Sequence, residues 1–428
     1  YRFTYGKDCV QMIYRKVLTF FIFFVLVGCF LFCNISFADS TAPEISAESA
    51  ILIDASSGQI FYTKNEQQRM FPASTTKILT AILTLENCKL DDVVTVPYEA
   101  ISSIPSGYSI AALQTDEQLT VNQLLQMMMV YSANDAANVL AFHISGSIDN
   151  FANLMNQKLA ELGLTNTHFT NPSGMQDENH YTTAHDLSIL MQYCMKNNTF
   201  RHLAGLKSCS IPATNKYQAR TFYTTNNLLV NSESNIANNS YYEYAIAGKT
   251  GFTSEAKNCL VSVASKDGLE LICVVLAAGT NPNGTSTKFS DSKALFEYGY
   301  ANYGIKSVLE QGYTVSSITI PNATDDTKNL DLVASSDISV LMKTSDMNNN
   351  FEYRIDLDNN LFAPISQGQV VGKVVYTIDG VEYSSDLIAT HSVIPSNSYI
   401  AIVGIILLVF VLFILFKLLF PKKKNIDT

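Results

Sequence analysis

The segment Pro72-Ala73-Ser74-Thr75-Thr76-Lys77-Ile78-Leu79-Thr80-Ala81-Ile82-Leu83 decides how the rest of the chain is read. From Ser74 a helical stretch runs through Ile78, Leu79, Ile82 and Leu85. Residues three apart on a helix are neighbours on one face, so Ser74 and Lys77 come side by side. A serine hydroxyl is a weak nucleophile until a base takes its proton. A lysine serves as that base once burial and nearby positive charge lower its pKa. Ser-x-x-Lys alone occurs in many surface helices. Here it opens an apolar helix, so the lysine faces a crowded interior or a cleft, a costly placement without a purpose.

Around this helix, residues 45–305 mix helix and strand signals. Ile51-Leu52-Ile53 and Gln59-Ile60-Phe61-Tyr62 flank Ser56-Ser57-Gly58 and predict a hairpin. Val121, Leu124, Leu125 and Met128 recur at helical spacing, as do Phe151, Leu154, Met155, Leu159 and Leu162 before Gly163. Three strand-like runs follow: Tyr244–Gly248, Leu260–Ala264 and Leu269–Ala277. Strands at both ends with helices between them predict an α+β domain, one antiparallel sheet built from distant pieces and covered by helices. From 308 to 391 the pattern turns to strands: Thr314–Ile320, Ile338–Met342, Phe351–Leu357, and Val370–Ile378 turning through Asp379-Gly380 into Val381–Ala389. This predicts a separate small all-β domain.

Two further motifs carry chemistry. Ser132-Ala133-Asn134 breaks two helices and can project a hydroxyl and an amide into a site; taken alone it reads equally well as an N-cap. Lys249-Thr250-Gly251 ends a strand-like run and offers a cation and a hydroxyl to an anionic group. Gly251 lets a ligand approach the backbone, while the bland alternative is a charged strand end before a turn.

In this order the three motifs resemble those of the serine acyl-transferases that react with penicillin. The surroundings sharpen this. Phe169-Thr170-Asn171-Pro172-Ser173-Gly174-Met175, His180-Tyr181-Thr182-Thr183-Ala184-His185-Asp186 and the β-rich tail around Pro364-Ile365 and Val370-Val371-Gly372 look like the low-molecular-mass penicillin-binding proteins, the serine-type D-alanyl-D-alanine carboxypeptidases. The resemblance covers residues 45–390 and the apolar C-terminal segment. It implies a penicillin-binding/β-lactamase-like transpeptidase fold and removal of the terminal D-alanine from peptidoglycan stem pentapeptides, with β-lactam antibiotics as acylating agents and no cofactor or metal. It also implies roles. Ser74 is the acylated nucleophile and Lys77 its base. Ser132 relays a proton, and Asn134 holds the substrate amide. Lys249 and Thr250 bind the terminal carboxylate, and Gly251 completes the substrate-binding set. The oxyanion hole uses the backbone N–H of Ser74 and of Thr253 or a neighbour.

The chain departs from that family in one respect. Members often carry an Arg before a Leu-Leu pair, whereas here the run is Thr224-Thr225-Asn226-Asn227-Leu228-Leu229, with Arg220 nearby but out of register. Carboxylate recognition is therefore expected to lean on Lys249 and Thr250. A β-lactamase shares the three motifs, but Glu161-Leu162-Gly163-Leu164-Thr165-Asn166 is one residue too long for Glu-x-x-Leu-Asn and fits a helix end. A non-catalytic wall-binding scaffold of the same fold is the reading from another class; the intact motif residues argue against it. His180 and His185 read as local hydrogen-bonding or capping residues, because no third metal ligand accompanies them.

The ends predict a compartment. Met12, Arg15 and Lys16, the uncharged run Val17–Cys33 and Ser36-Phe37-Ala38 read as a secretory signal over 1–38; an uncleaved membrane helix is the other reading of the same residues. Tyr399–Phe416 carries no charge and spans roughly 27 Å as a helix. Lys417, Lys422, Lys423 and Lys424 follow it and predict an anchor over 399–420 with a cytoplasmic tail at 421–428. The expected location is the bacterial cell membrane, with the catalytic domain outside. The ends also explain much of the composition, 47% hydrophobic and only 15% charged. Without residues 1–38 the chain keeps 24 basic against 37 acidic residues, a net −13, which argues against a nucleic-acid partner. The five remaining cysteines predict no disulfide framework, with Cys259 set opposite Leu276 by a turn at Asp267-Gly268.

Overall fold

The computed structural model describes residues 41–419, so the expected export segment and cytoplasmic tail lie outside the described residues. Strands β1 (Ser49–Asp54), β2 (Ile60–Lys64), β3 (Ala245–Thr253), β4 (Lys257–Lys266) and β5 (Leu269–Ala278) form one antiparallel sheet in the order β2-β1-β5-β4-β3. Every residue of β1 is buried. Ile51 and Ile53 face a helical core containing Ile78, Leu79 and Met128. Ala50 and Leu52 face a second core with Leu295 and Phe296. A strand covered on both faces reads as the continuous apolar run Ala50-Ile51-Leu52-Ile53 rather than as an alternation.

The helical side holds α1 (Lys77–Asn87), α2 (Val121–Val130), α3 (Asn134–Ser145), α4 (Ile148–Glu161) and α5 (Ala184–Met195). In α1 every residue from Lys77 to Thr84 is buried, which is why the helix is apolar nearly all round. A reciprocal capping box between Thr120 and Gln123 starts α2. The other face of the sheet is covered by α6 (Lys288–Asn302).

The hairpin joining β4 to β5 turns at Asp267-Gly268, with φ of 49° and 81°. Both residues are left-handed, the geometry that Asp-Gly favours, and Lys266 faces Leu269 as expected. The expected Cys259–Leu276 pairing does not form: the register shifts between Asn258 and Leu260. A bulge at this end absorbs one residue, and no turn rule foresees it. Cys88, Cys194, Cys209, Cys259 and Cys273 are free thiols.

The β-rich region starts earlier than the expected 308. Strand β6 (Tyr303–Leu309) follows α6 directly and pairs with β9 (Ile338–Lys343). The remaining strands are β7 (Thr314–Thr319), β8 (Asn329–Ala334), β10 (Tyr353–Leu357), β11 (Val370–Ile378) and β12 (Val381–Ala389). They form a sheet in the order β7-β8-β12-β11-β10. The sequence reading missed β8, although Leu330, Leu332 and Ala334 alternate inward against polar neighbours. A last helix, α7, spans Asn397–Leu419, and its side chains from 401 to 417 are exposed. Among the described residues no helix is long and apolar enough to cross a membrane.

Candidate active site

Ser74 sits in a single 3-10 turn, Ala73–Thr76, that feeds directly into α1, so Lys77 is the first residue of that helix. The Nζ of Lys77 donates to Ser74 Oγ at 2.9 Å, to Asn134 Oδ1 at 2.7 Å and to the Ser173 carbonyl at 2.6 Å. Lys77 is fully buried and has no carboxylate partner among these contacts. Burial first, then the Lys249 ammonium, holds its pKa well below the ordinary lysine value, while Asp135 pulls the other way. A base within hydrogen-bond reach of the nucleophile is thus biased toward its neutral form.

Ser132 lies between α2 and α3 with φ of 66°, a left-handed conformation that is uncommon outside glycine and concentrates at functional sites. It does not cap α3: the N-cap is Ala133, with no side-chain cap bond. The Ser132 hydroxyl instead accepts from Lys249 Nζ at 2.9 Å, and the same ammonium donates to the Thr250 carbonyl at 2.9 Å. Burial, with the Lys288 ammonium as the lesser cause, lowers the Lys249 pKa to about 7. Thr250 Oγ1 bonds Thr225 Oγ1 at 2.5 Å.

Asn134 is held by the loop that roofs the site. Its N–H and its Nδ2 both donate to the Ser109 carbonyl at 2.9 Å. The buried carboxylate of Asp135 pins the same loop, accepting from the N–H groups of Ala111 at 2.9 Å and Leu113 at 3.0 Å. Below the nucleophile, His180 stacks on Phe169 and is held neutral: burial, then His168 and Lys77, lower its pKa to about 3. Its Nδ1 accepts from the Thr170 N–H at 3.0 Å, so the proton lies on Nε2, which faces Thr76 Oγ1 at 2.8 Å. Thr76 in turn donates to the Ala73 carbonyl at 2.8 Å.

Two glycines allow these segments to meet. Gly174 has φ of +81°, and a Cβ there would lie 1.8 Å from the Ala73 carbonyl oxygen. A Cβ on Gly251 would lie 2.8 Å from the Pro72 carbonyl oxygen and 3.1 Å from Ser74 N. The sequence reading gave Gly251 to ligand approach; in the structure the nucleophile's own turn also comes close to it.

Ser74, Ser132, Asn134, Thr250 and Gly251 line one cleft of about 580 Å³. Lys77 and Lys249 reach it through the serines they bond. All seven residues singled out from sequence therefore converge. Arg220 does not join them: it ion-pairs with the buried Glu117 and donates to the Ala111 carbonyl at 3.0 Å. The cleft gains a cation from Lys288, a residue that sequence reading passed over; it is 9% exposed and lines the cleft. Nothing in the run Thr287-Lys288-Phe289 marks it, because its burial comes from packing. Glu161 stays outside the cleft, pairs with Lys158, and its side chain is 52% exposed, so no carboxylate from that segment activates a water here.

Comparison with known proteins gives the family. Residues 37–280 match the family model described as D-alanyl-D-alanine carboxypeptidase, and 303–394 match the C-terminal domain of penicillin-binding protein 5. D-alanyl-D-alanine carboxypeptidase DacF of Bacillus subtilis is 32% identical over 341 residues, covering 78% of this chain and 82% of the relative. DacA of Haemophilus influenzae is 31% identical, covering 81% and 84%. The solved structure of penicillin-binding protein 5 from Haemophilus influenzae superposes with a TM-score of 0.58 at 30% identity, covering 83% of this chain and 99% of that one. The chain belongs to the D-alanyl-D-alanine carboxypeptidase family, within the low-molecular-mass penicillin-binding proteins.

Proposed function

We propose that this chain removes the C-terminal D-alanine from peptidoglycan stem pentapeptides through an acyl-enzyme on Ser74. The observation that carries the reading is the convergence of two lysine–serine pairs, Lys77–Ser74 and Lys249–Ser132, on one cleft. Neutral Lys77 takes the Ser74 proton as Oγ attacks the penultimate carbonyl carbon. The peptide C–N bond breaks, and Ser132 passes a proton to the leaving amine. Lys249 donates to Ser132, which leaves that hydroxyl's own proton free to move. Water then attacks the ester, returning Ser74 and releasing the shortened peptide. Asn134 orients the substrate amide. Lys249, Thr250 and Lys288 receive the terminal carboxylate. Donors for the developing oxyanion are the Ser74 N–H and an N–H of β3 beyond Gly251, since such groups act where charge develops. β-Lactams enter by the same attack, the ring amide taking the place of the peptide bond.

The reading extends to location: export directed by residues 1–38, and a membrane tether formed by 399–420 with the lysines that follow it on the cytoplasmic side. Labelling with a fluorescent penicillin and release of D-alanine from a D-Ala-D-Ala peptide test the chemistry. Ser74→Ala abolishes both; labelling that survives in this variant sinks the assignment. Release of the protein from intact membranes by salt alone sinks the tether.

A further inference from the structure

Asn134 and Asp135 open α3, and together they grip alternate residues of the loop over the cleft. Asn134 donates to the Ser109 carbonyl through its N–H and its Nδ2, both at 2.9 Å. Asp135 accepts from the Ala111 N–H at Oδ1, 2.9 Å away, and from the Leu113 N–H at Oδ2, 3.0 Å away. Asp135 is 2% exposed, and its Oδ1 also accepts from the Ala136 N–H at 3.0 Å. Ahead of this grip the loop is thin. Ser106, Gly107 and Tyr108 line the catalytic cleft on one side and another cavity of about 370 Å³ on the other. With space on both sides of that stretch, the hydrogen bonds of Asn134 and Asp135 set where the Ser109 carbonyl stands.

That carbonyl decides which way the Asn134 amide points. Nδ2 only donates and Oδ1 only accepts. Because Nδ2 is turned to Ser109, Oδ1 is turned to Lys77 Nζ, 2.7 Å away. The Ser173 carbonyl, at 2.6 Å, is a second acceptor for the same amine. A neutral amine has two hydrogens and one lone pair. With its hydrogens on Asn134 Oδ1 and the Ser173 carbonyl, the lone pair is left facing the Ser74 hydroxyl 2.9 Å away, as proton abstraction requires. A flipped Asn134 would present a donor and claim that lone pair.

We propose that Asp135 is a positioning residue for the base: its carboxylate fixes the roof loop, the Ser109 carbonyl of that loop orients Asn134, and Asn134 aims the Lys77 lone pair at Ser74. This deepens the carboxypeptidase reading and rests on it for the role of Lys77. The charged groups facing Lys77 are Lys249 on β3 and Asp135 on α3, with neutral His180 beneath the nucleophile. Removing the Asp135 charge disfavours the Lys77 ammonium. Releasing Asn134 acts in the same direction, because its Oδ1 accepts more strongly from the ammonium than from the amine. Acylation needs neutral Lys77, so both effects move the rising limb of its pH profile to lower pH.

The test mixes the full chain with excess fluorescent penicillin in a stopped-flow instrument over a series of pH values. The labelling rate constant comes from folded molecules alone, and partial unfolding lowers the amplitude instead. Asp135→Asn keeps the size but turns one acceptor into a donor, so one loop N–H loses its partner. Its rate constant is expected to fall about 10²-fold, as for a catalytic group displaced by about 1 Å, and its rising limb to move to lower pH. Asp135→Glu keeps the anion but displaces its oxygens. It is expected to acylate slowly with the limb near its wild-type position, and it carries the test where Asp135→Asn gives no labelling amplitude. A rate constant within threefold of the wild type in either variant, or a limb that stays put in Asp135→Asn, overturns the action of Asp135 on the base. Absence of labelling in the wild type overturns the carboxypeptidase reading itself.

Discussion

The ammonium of Lys249 lies 2.9 Å from the hydroxyl of Ser132, although 117 residues separate them in the chain. Lys249 stands on the edge strand of the sheet and Ser132 on a break between two helices. The contact therefore exists only when the sheet and the helical region are packed together, and it ties proton transfer to the folding of both.

Lys77 tests the base. Lys77→Arg keeps a cation and the hydrogen-bonding capacity but removes a group that can lose its proton. The acylation rate by penicillin should fall by about 10²–10⁴-fold, the usual contribution of a positioned general base. Stopped-flow labelling measures it; a loss of less than tenfold assigns the base elsewhere.

The pH profile follows from opposite demands on two lowered lysines. Attack needs Lys77 neutral, and carboxylate binding needs Lys249 charged. kcat/KM should rise as Lys77 loses its proton and decline as free-enzyme Lys249, lowered to about 7, loses its own. Lys249→Arg should push the descending limb up by several units, because guanidinium stays protonated. A limb that stays put in this variant has another source.

Lys288 lines the cleft that Arg220 does not reach, and the proposed carboxylate role can be tested on it. Lys288→Met should raise KM for a D-Ala-D-Ala peptide about tenfold, with a smaller change in kcat, since the carboxylate is bound in ground and transition states alike. An equal loss in kcat with KM unchanged would place Lys288 in the chemistry instead.

Arg220 has a structural role that can be separated from binding. Its partner Glu117 is fully buried and also accepts from Thr214 Oγ1 at 2.8 Å and the Gln114 N–H at 3.1 Å. Arg220→Met leaves that carboxylate without its cation and should cost about 3–5 kcal/mol of stability. A denaturant midpoint close to that of the wild type would contradict this.

Gly174 is required twice, by its φ of +81° and by the nearness of the Ala73 carbonyl. Gly174→Ala should lose at least about 1–2 kcal/mol from the backbone conformation alone. It should also slow acylation, because Ser173, whose carbonyl accepts from Lys77, moves with it. Thermal melting and penicillin labelling read the two effects.

What the sequence by itself determined is what short range dictates. The spacing of Ser74 and Lys77 holds because residues three apart share a helical face. The turns at Asp267-Gly268 and Asp379-Gly380 hold because both residues in each adopt positive φ, 49° and 81° in one, 50° and 79° in the other. The order of the three motifs, together with the segments around them, was enough to assign the family. Only the tertiary structure decided which lysine serves which serine, that Ser132 is not a cap, that Arg220 belongs to Glu117, and that Lys288 enters the cleft. The register shift near Cys259 and the start of the β-rich region at Tyr303 were settled there too. The reason is desolvation and proximity. Lys77 and Lys249 titrate low because segments far apart in the chain exclude water from them and set their charges near one another. No window of sequence contains that environment.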